Sequence, residues 1–376
     1  MWLRMQEICE PGERAAAEGA MATTRPDTAA REWSLDDDVI RLRQWGTDRI
    51  HVLPAPPGDE WLVGSAPACS LALTDPLVSR RHARLLHDGA RWTLRDLGSK
   101  NGLRLDGAHV DWFALEPCVE IGIGGTTLIA ESDRSIALRA FVARILGWTS
   151  DRAADVDQAL RAIRLAATRR AALVLSGPRD LVSIAHALHR HAIGADRPFV
   201  VCDPRRQEAE ESVRAAANYE SATAALEAAT GGSLCVWRSR LPRDFPNALV
   251  RIREPAARVQ LIICSHKRVR QDAHLAAPIE VPPLERRARE LRRIVEEYAL
   301  DALAELGEPR ASFTAADRDW ILEHEASSLA DIERATLRLI ALRTSGNVNR
   351  AAARLGIAHV SLSRWIGRRK LPVDVA

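Results

Sequence analysis

Apolar and polar positions along the chain fall into three textures. Between about 38 and 132, short segments alternate apolar with polar residues, at 39–45, 49–53, 71–73, 83–87, 91–97, 103–105, 119–123 and 126–130, and Gly, Asp, Pro and Ser separate them. Alternation with a period of two predicts strands with one buried face, and many short strands at regular spacing predict an antiparallel sandwich of about 95 residues. After Ser132 the pattern becomes helical, in stretches rich in Ala, Leu and Arg, interrupted by short apolar runs at 171–177, 233–237 and 259–264. Runs of that length between helices predict buried parallel strands in an α/β layer. From Val281 onward the texture is helical to the end, with breaks near Gly307–Pro309, at Ser327–Ser328, at Ser345–Gly346 and at Gly356.

Composition narrows the class. The 376 residues carry 53 Lys plus Arg against 50 Asp plus Glu, a formal charge of +3. That length accommodates two or three domains at roughly 100–200 residues each. No run of about 18 apolar residues is present and the first residues are charged, so neither a membrane span nor an export signal is expected, and a cytoplasmic location is. Residues 1–35 lack apolar periodicity and read as a disordered leader, with Met21 as an alternative start. The six cysteines (Cys9, Cys69, Cys118, Cys202, Cys235, Cys264) lie far apart with no zinc-ligand spacing, and are expected to be reduced, core-filling thiols. No metal and no cofactor is expected. Positive charge is almost all arginine: the lysines are Lys100, Lys267 and Lys370, so nothing between 101 and 266 can offer an amine to a nucleotide phosphate.

The stretches WLVGSAPACSLALTDPLVSRRHARLL and RWTLRDLGSKNGLRLDG hold Gly64, then Ser79 and His82 as SxxH, then the Ser99-Lys100-Asn101-Gly102 turn. Over roughly 36–132 the chain resembles a forkhead-associated (FHA) domain. The resemblance implies phosphothreonine-peptide binding by loops at one end of the sandwich. A phosphate brings about −2 charge and three acceptor oxygens, so its site needs hydroxyl or amide donors and a cation. Ser79 matches the position whose hydroxyl touches phosphate, and Asn101 the one whose amide grips the peptide backbone. Gly64, His82 and Gly102 match structural positions, His82 fixing the loop from inside. The family usually has arginine where Ser65 stands; Ser65 is kept with Ser79, Arg80, Lys100 and Asn101 as a candidate phosphopeptide-binding residue, and Arg80, Arg81 and Lys100, which flank the expected site, are the candidate replacement cations.

Residues 133–325 resemble, diffusely but in order, the AAA+ module of sigma-54 enhancer-binding activators. AALVLSG, AHALHRHA and PFVVCD stand where that family has its first strand, phosphate loop, helix and second strand; GGSLCVW stands at its second acidic motif and VQLIICSH at its sensor strand. The nucleotide chemistry is altered at each place. A phosphate loop needs glycines to wrap phosphate, Lys for charge and Ser or Thr for magnesium, whereas Gly177 is followed by Pro178-Arg179-Asp180-Leu181. The acidic pair is Trp237-Arg238, the sensor asparagine is His266, the later sensor arginine is Ala330, and the GAFTGA loop is missing from 203–231. A module without ATP hydrolysis is the expectation.

The end of the chain, 326–372, resembles the Fis-type helix-turn-helix of the same activators. Helices are expected at about 329–343, 348–355 and 359–369, with Asn347 as a cap and Gly356 as the left-handed turn residue. Ala351, Ala352, Leu355, Ile357, Leu362 and Ile366 recur at helical spacing as a small core. Arg343, Arg350, Arg354, Arg364, Arg368, Arg369 and Lys370 occur with no acidic residue between 343 and 370, a footprint suited to DNA phosphates. His359, Ser361, Ser363 and Arg364, on the first turns of the last helix, are the candidates for base edges. Trp365 reads as core rather than dimer contact. Fis-type readers act as dimers, which implies a homodimer through this segment. The combined expectation is a multidomain transcription regulator that couples a phosphothreonine partner, such as a Ser/Thr kinase or its substrate, to double-stranded DNA. An ATP-dependent sigma-54 activator and a phosphopeptide scaffold without specific DNA binding are the rival readings.

Overall fold

The computed structural model describes residues 37–54, 60–169, 171–177, 180–205, 213–254, 257–269, 277–369 and 371. The expected leader at 1–35, Cys9, Arg179 and Lys370 lie outside the described residues.

The alternating N-terminal texture folds into two facing sheets. One runs β2-β1-β11-β10-β7-β8, built from β1 (Arg41–Gln44), β2 (Ile50–Val52), β7 (Leu103–Leu105), β8 (Ala108–Val110), β10 (Glu120–Ile123) and β11 (Thr126–Glu131). The other runs β4-β3-β5-β6-β9, from β3 (Trp61–Gly64), β4 (Leu71–Ala72), β5 (Ala83–His87), β6 (Trp92–Asp96) and β9 (Trp112–Ala114). Alternate residues point inward, so Leu42, Val63, Leu85, Leu94, Leu103, Ile121 and Leu128 form one core between the sheets. Strands β8 and β9 were not separable in the sequence because each is a sheet edge: Ala108, His109 and Trp112 are exposed and break the alternation.

Ser132 ends the sandwich and starts the helical texture. Its hydroxyl accepts from the Ser135 amide, and the Ser135 hydroxyl accepts from the Ser132 amide at 2.7 Å, a reciprocal cap for α1 (Asp133–Leu146). After α2 (Ala153–Arg169) come β12 (Leu173–Ser176), α3 (Leu181–Ala192), β13 (Phe199–Cys202), β14 (Ala217–Tyr219), α4 (Ala222–Ala228), β15 (Ser233–Trp237), α5 (Phe245–Arg253), β16 (Gln260–Ser265) and β17 (Ile279–Glu280). The six strands form one parallel sheet in the order β14-β13-β15-β16-β12-β17. Both faces are covered, which is why the central strands are apolar runs without alternation. Leu173, Leu175, Cys235, Ile262 and Cys264 enter the core on one face; Val174, Leu234, Val236, Leu261 and Ile263 enter the core on the other. The five described cysteines are free, and burial pushes the Cys118 thiol up to about 12 and Cys202 up to about 11, which keeps both protonated and unreactive.

The remaining helices are α6 (Leu291–Leu306), α7 (Ala315–His324), α8 (Leu329–Ser345), α9 (Val348–Arg354) and α10 (His359–Gly367). The helices of the segment expected at 326–372 share a core with the α/β layer, which runs from Leu138 on α1 to Trp365 on α10. The reason is α8, whose 17 residues include none that is exposed; a helix apolar on more than one side must be surrounded.

The sandwich is also fastened to α2 of the helical region. Arg43, buried on β1, donates through Nε to Glu131 at 2.6 Å and through Nη1 and Nη2 to Asp157 on α2 at 3.0 and 2.5 Å. The Gly46 amide adds a bond to Asp157 at 2.7 Å. Burial opposes the charge on Arg43, but the Asp157 and Glu131 contacts outweigh it and its pKa is raised. Around this buried cluster, Arg139 pairs with Asp48 at 3.1 Å, Arg161 with Glu120 at 3.2 Å and Arg164 with Asp106 at 2.5 Å. No helix among the described residues is long and apolar enough to cross a membrane.

Candidate functional site

The β3–β4, β4–β5 and β6–β7 loops are joined at one end of the sandwich. Gly64 closes β3 against the β4–β5 loop so tightly that a Cβ there would lie 2.3 Å from the Arg80 carbonyl oxygen and 2.9 Å from that of Ser79. Glycine is therefore required by the approach of two backbones rather than by dihedral freedom. The amides of Ser65 and Ala66 then donate to the Ser79 and Arg80 carbonyls at 3.0 and 3.1 Å. Cys69 adds an S–H bond to the Arg80 carbonyl at 3.2 Å.

His82 is wholly buried and joins the loops. Its Nδ1 accepts from the Ser79 amide at 3.1 Å, which places the ring proton on Nε2, beside the Gly102 carbonyl at 3.1 Å and Ser99 Oγ at 2.9 Å. The ring thus ties the β4–β5 loop to the β6–β7 turn. Ser99, named in the sequence only as part of the Ser-Lys-Asn-Gly turn and given no role, donates to Asp96 Oδ1 at 2.6 Å and accepts from the Gly102 amide at 3.0 Å. Asp96 in turn receives the Gly98 and Ser99 amides at 2.8 and 2.9 Å. An Asp two and three residues ahead of a Gly-Ser pair is the signal that could have exposed this turn.

What the loops present is a set of donors. Ser79 Oγ accepts the Lys100 amide at 3.0 Å, so its own O–H remains to be given to a ligand. Asn101 gives one amide hydrogen to the Leu77 carbonyl at 2.7 Å, which leaves its oxygen and second hydrogen for a peptide backbone. Arg80, Arg81 and Lys100 are exposed beside them, and none makes an ion pair among the described residues. Ser65 differs from expectation. Its hydroxyl donates to the Val78 carbonyl at 2.9 Å, so its proton is used within the loop and it is no phosphate donor in this conformation.

Asp75 is a second residue missed in the sequence. Its carboxylate receives the Leu77 amide, the Gly125 amide and the Thr126 hydroxyl, each at 2.9 Å, tying the β4–β5 loop to the β10–β11 turn. The Leu77 amide first, with the Thr126 and Gly125 donors, holds its carboxyl below the ordinary value.

The residues expected at a decayed nucleotide site lie at the C-terminal ends of adjacent parallel strands, the edge where open α/β sheets bind ligands. Gly177 follows β12, Trp237 ends β15, and His266 follows β16. The Trp237 and His266 rings stack with centroids 4.4 Å apart at 24°, and the Arg240 guanidinium lies 5.8 Å from the Trp237 ring while pairing with Asp203 at 2.9 Å. A Cβ on Gly177 would meet the Val281 carbonyl at 2.9 Å, so this turn is pressed against the chain beyond β17. Arg238 donates its amide to the Cys264 carbonyl at 2.9 Å.

In the C-terminal helices, Asn347 caps α9 by accepting the Arg350 amide at 2.9 Å, and Gly356 turns the chain into α10 at φ +64°. Ala351, Ala352, Leu355, Leu362 and Trp365 are buried, and Ile357 and Ile366 are half-buried. Arg350, His359, Ser363, Arg364 and Arg368 are exposed, with Ser361 half-buried. Arg343, Arg354 and Arg369 are held by carboxylates that stand earlier in the chain. Arg343 pairs with Asp317 at 2.7 Å, Arg354 with Glu308 at 2.8 Å, and Arg369, a predicted DNA contact, with Glu325. The acids lie outside the acid-free stretch, which is why the sequence did not reveal the pairing.

Residues 61–124 match the FHA domain family. The FHA domain-containing protein FhaB of Mycolicibacterium smegmatis is 41% identical over 71 residues, which is 19% of this chain and 43% of that protein. FhaB of Mycobacterium tuberculosis is 51% identical over 49 residues, 13% of this chain and 32% of that protein. The chain therefore spans less than half the length of the curated relatives it matches. A solved structure from work on phosphothreonine-dependent FHA domain interactions is 28% identical, covering 24% of this chain and 94% of that chain with a TM-score of 0.23. The N-terminal β-sandwich of this chain is an FHA domain.

Proposed function

We propose that the protein is a non-catalytic regulator that takes a phosphothreonine-containing partner at the Ser79–Asn101 loops and contacts double-stranded DNA through α9 and α10. The observation that carries the first half is the set of unspent donors at the open end of the sandwich. The Ser79 hydroxyl, the remaining Asn101 amide hydrogen and the cations Arg80, Arg81 and Lys100 surround one rim, and a phosphate dianion asks for that combination. A tryptic phosphothreonine peptide library, offered to the full chain alongside its dephosphorylated copy, tests this half. Enrichment of phosphorylated peptides is expected; equal recovery of both libraries refutes it.

Contact with DNA is supported by the exposed Arg350, His359, Ser363, Arg364 and Arg368 on two short helices joined at Gly356. The middle layer acts as a scaffold. Support comes from the absence of any lysine between 101 and 266 and from the Trp237–His266 stack standing where carboxylates would have to hold magnesium. Incubation with magnesium-ATP should give no turnover and no thermal shift, because a ligand of the native state must raise stability by mass action. ATP hydrolysis would favour the rival reading of a working sigma-54 activator.

A further inference from the structure

We infer that the outer face of the β3-β5-β6-β9 sheet, beside the rim, seats an acidic flank, bearing aliphatic side chains, of the same phosphothreonine-containing polypeptide. This rests on the reading of the Ser79–Asn101 loops as a phosphothreonine site. A sandwich has two outer faces, and in this chain they differ. On the β1-β11-β10 side, the outward residues Arg43 and Glu120 meet Asp157 and Arg161 of α2. On the other side, Leu62, Arg84, Arg95 and Trp112 form one row across β3, β5, β6 and β9. The strand register sets it: Leu62 pairs with Arg84, Arg84 with Arg95, and Arg95 with Trp112. Their chain neighbours Val63, Leu85, Leu94 and Phe113 fill the core, so the row points away from it.

Trp112 is 60% exposed, and Arg95 is exposed with no ion pair among the described residues. Arg84 and Arg95 stand directly opposite one another, and like charges so placed destabilise a sheet. Glu60 reaches Arg84 only at 3.8 Å, beyond hydrogen-bond distance, and the Arg84 Nε is shielded from solvent without an acceptor. Two arginines that work against the fold, beside an open indole and the half-buried Leu62 and Leu86, complement a chain carrying carboxylates and aliphatic groups. The row also joins the rim. Leu62 stands two residues before Gly64, Arg84 two after His82, and Arg95 two before Leu97, where the β6–β7 loop begins. Three strand spacings of about 4.8 Å make the row about 14 Å wide, which about four or five extended residues at about 3.3 Å each span. Arg80, Arg81 and Lys100 are exposed at the rim, so an acidic flank passes from one basic surface to the next.

The test uses the full chain and a peptide recovered from the phosphorylated library, trimmed to three residues on either side of the phosphothreonine. Six-residue extensions of alternating Asp and Leu, Lys and Leu, or Gly and Ser are added to each end in turn, and affinity is read by calorimetry. Asp-Leu at one end should tighten binding about tenfold over Gly-Ser, the scale of two exposed charge pairs and one aromatic contact, and Lys-Leu should not. Arg95→Glu and Trp112→Ala should each remove most of that gain while binding the trimmed peptide as the wild type does. No gain from Asp-Leu at either end, an equal gain from Lys-Leu, or a gain that survives both substitutions overturns the inference and leaves phosphothreonine recognition intact. A trimmed peptide that binds no better than its plain form overturns that recognition and the inference with it.

Discussion

Replacing Gly64 by alanine adds one methyl group where the structure leaves no space for it. Its Cβ would sit 2.3 Å from the Arg80 carbonyl oxygen, 2.8 Å from the Arg80 carbonyl carbon and 2.9 Å from the Ser79 oxygen. All three neighbours are backbone, so no side chain can swing aside, and the β4–β5 loop must move away from β3. Forced overpacking of this kind costs about 1–3 kcal/mol. The displaced atoms are the carbonyls that receive the Ser65 and Ala66 amides and that belong to the residues offering the Ser79 hydroxyl and the Arg80 guanidinium. Gly64→Ala should therefore speed hydrogen exchange at Ser65 and Ala66 and weaken phosphopeptide binding more than its stability loss alone explains. Gly89→Ala is the control. Gly89 lies at φ +93° with nothing within 4 Å of a Cβ, so alanine there carries backbone strain of about 1–2 kcal/mol far from the rim, and affinity should hold. Unchanged exchange and unchanged affinity in Gly64→Ala would refute the claim that this close approach positions the site.

Ser79→Ala removes the hydroxyl meant for phosphate and the acceptor of the Lys100 amide; a lost hydrogen bond to a charged group is worth about 1–3 kcal/mol, so peptide affinity measured by calorimetry should fall several-fold to about a hundredfold. Asp157→Ala leaves Arg43 buried and short of a partner at 1% exposure, and breaking one side of a buried pair costs about 3–5 kcal/mol; thermal denaturation should show a large fall in apparent Tm, with the FHA sandwich released from α2. Acid should loosen the rim through Asp75. Its carboxyl lies below the ordinary value of 3.8 in the folded chain, so its contribution is complete above that value and is lost as pH falls through the lower folded value. Hydrogen exchange at Leu77 and Gly125 should accelerate there in the wild type, and in Asp75→Asn should already be fast at neutral pH.

Sequence and structure agree where local physics decides. The β5 and β10 alternation follows from one buried face, and the unbroken apolar runs of β12, β15 and β16 follow from two. Strands β14 and β17 left no trace because three-residue and two-residue edges carry too little pattern. At the rim, the SxxH and Ser-Lys-Asn-Gly positions were legible from their residue types, but the direction of a hydroxyl is not a property of sequence. Ser65 stands at a phosphate-binding position of the family, yet Val78 takes its proton. The largest gap concerns contacts between distant segments. Arg43 and Asp157 stand 114 positions apart, and nothing near either residue announces the other. The same holds for Arg369 and Glu325, and for α8, whose packing against α6 and α3 its own helical spacing does not announce.

The most direct test of phosphothreonine recognition at this rim is a binding measurement on the full chain with one peptide, recovered from the phosphorylated library, in phosphorylated and plain forms. The phosphothreonine form should bind and the plain form should not. Asn101→Ala, which removes the group poised for the peptide backbone while leaving the phosphate donors in place, should weaken the phosphorylated form without making the two forms equal. Equal affinity of the two forms for the wild-type chain would contradict the assignment of Ser79, Arg80 and Lys100 as phosphate-reading groups.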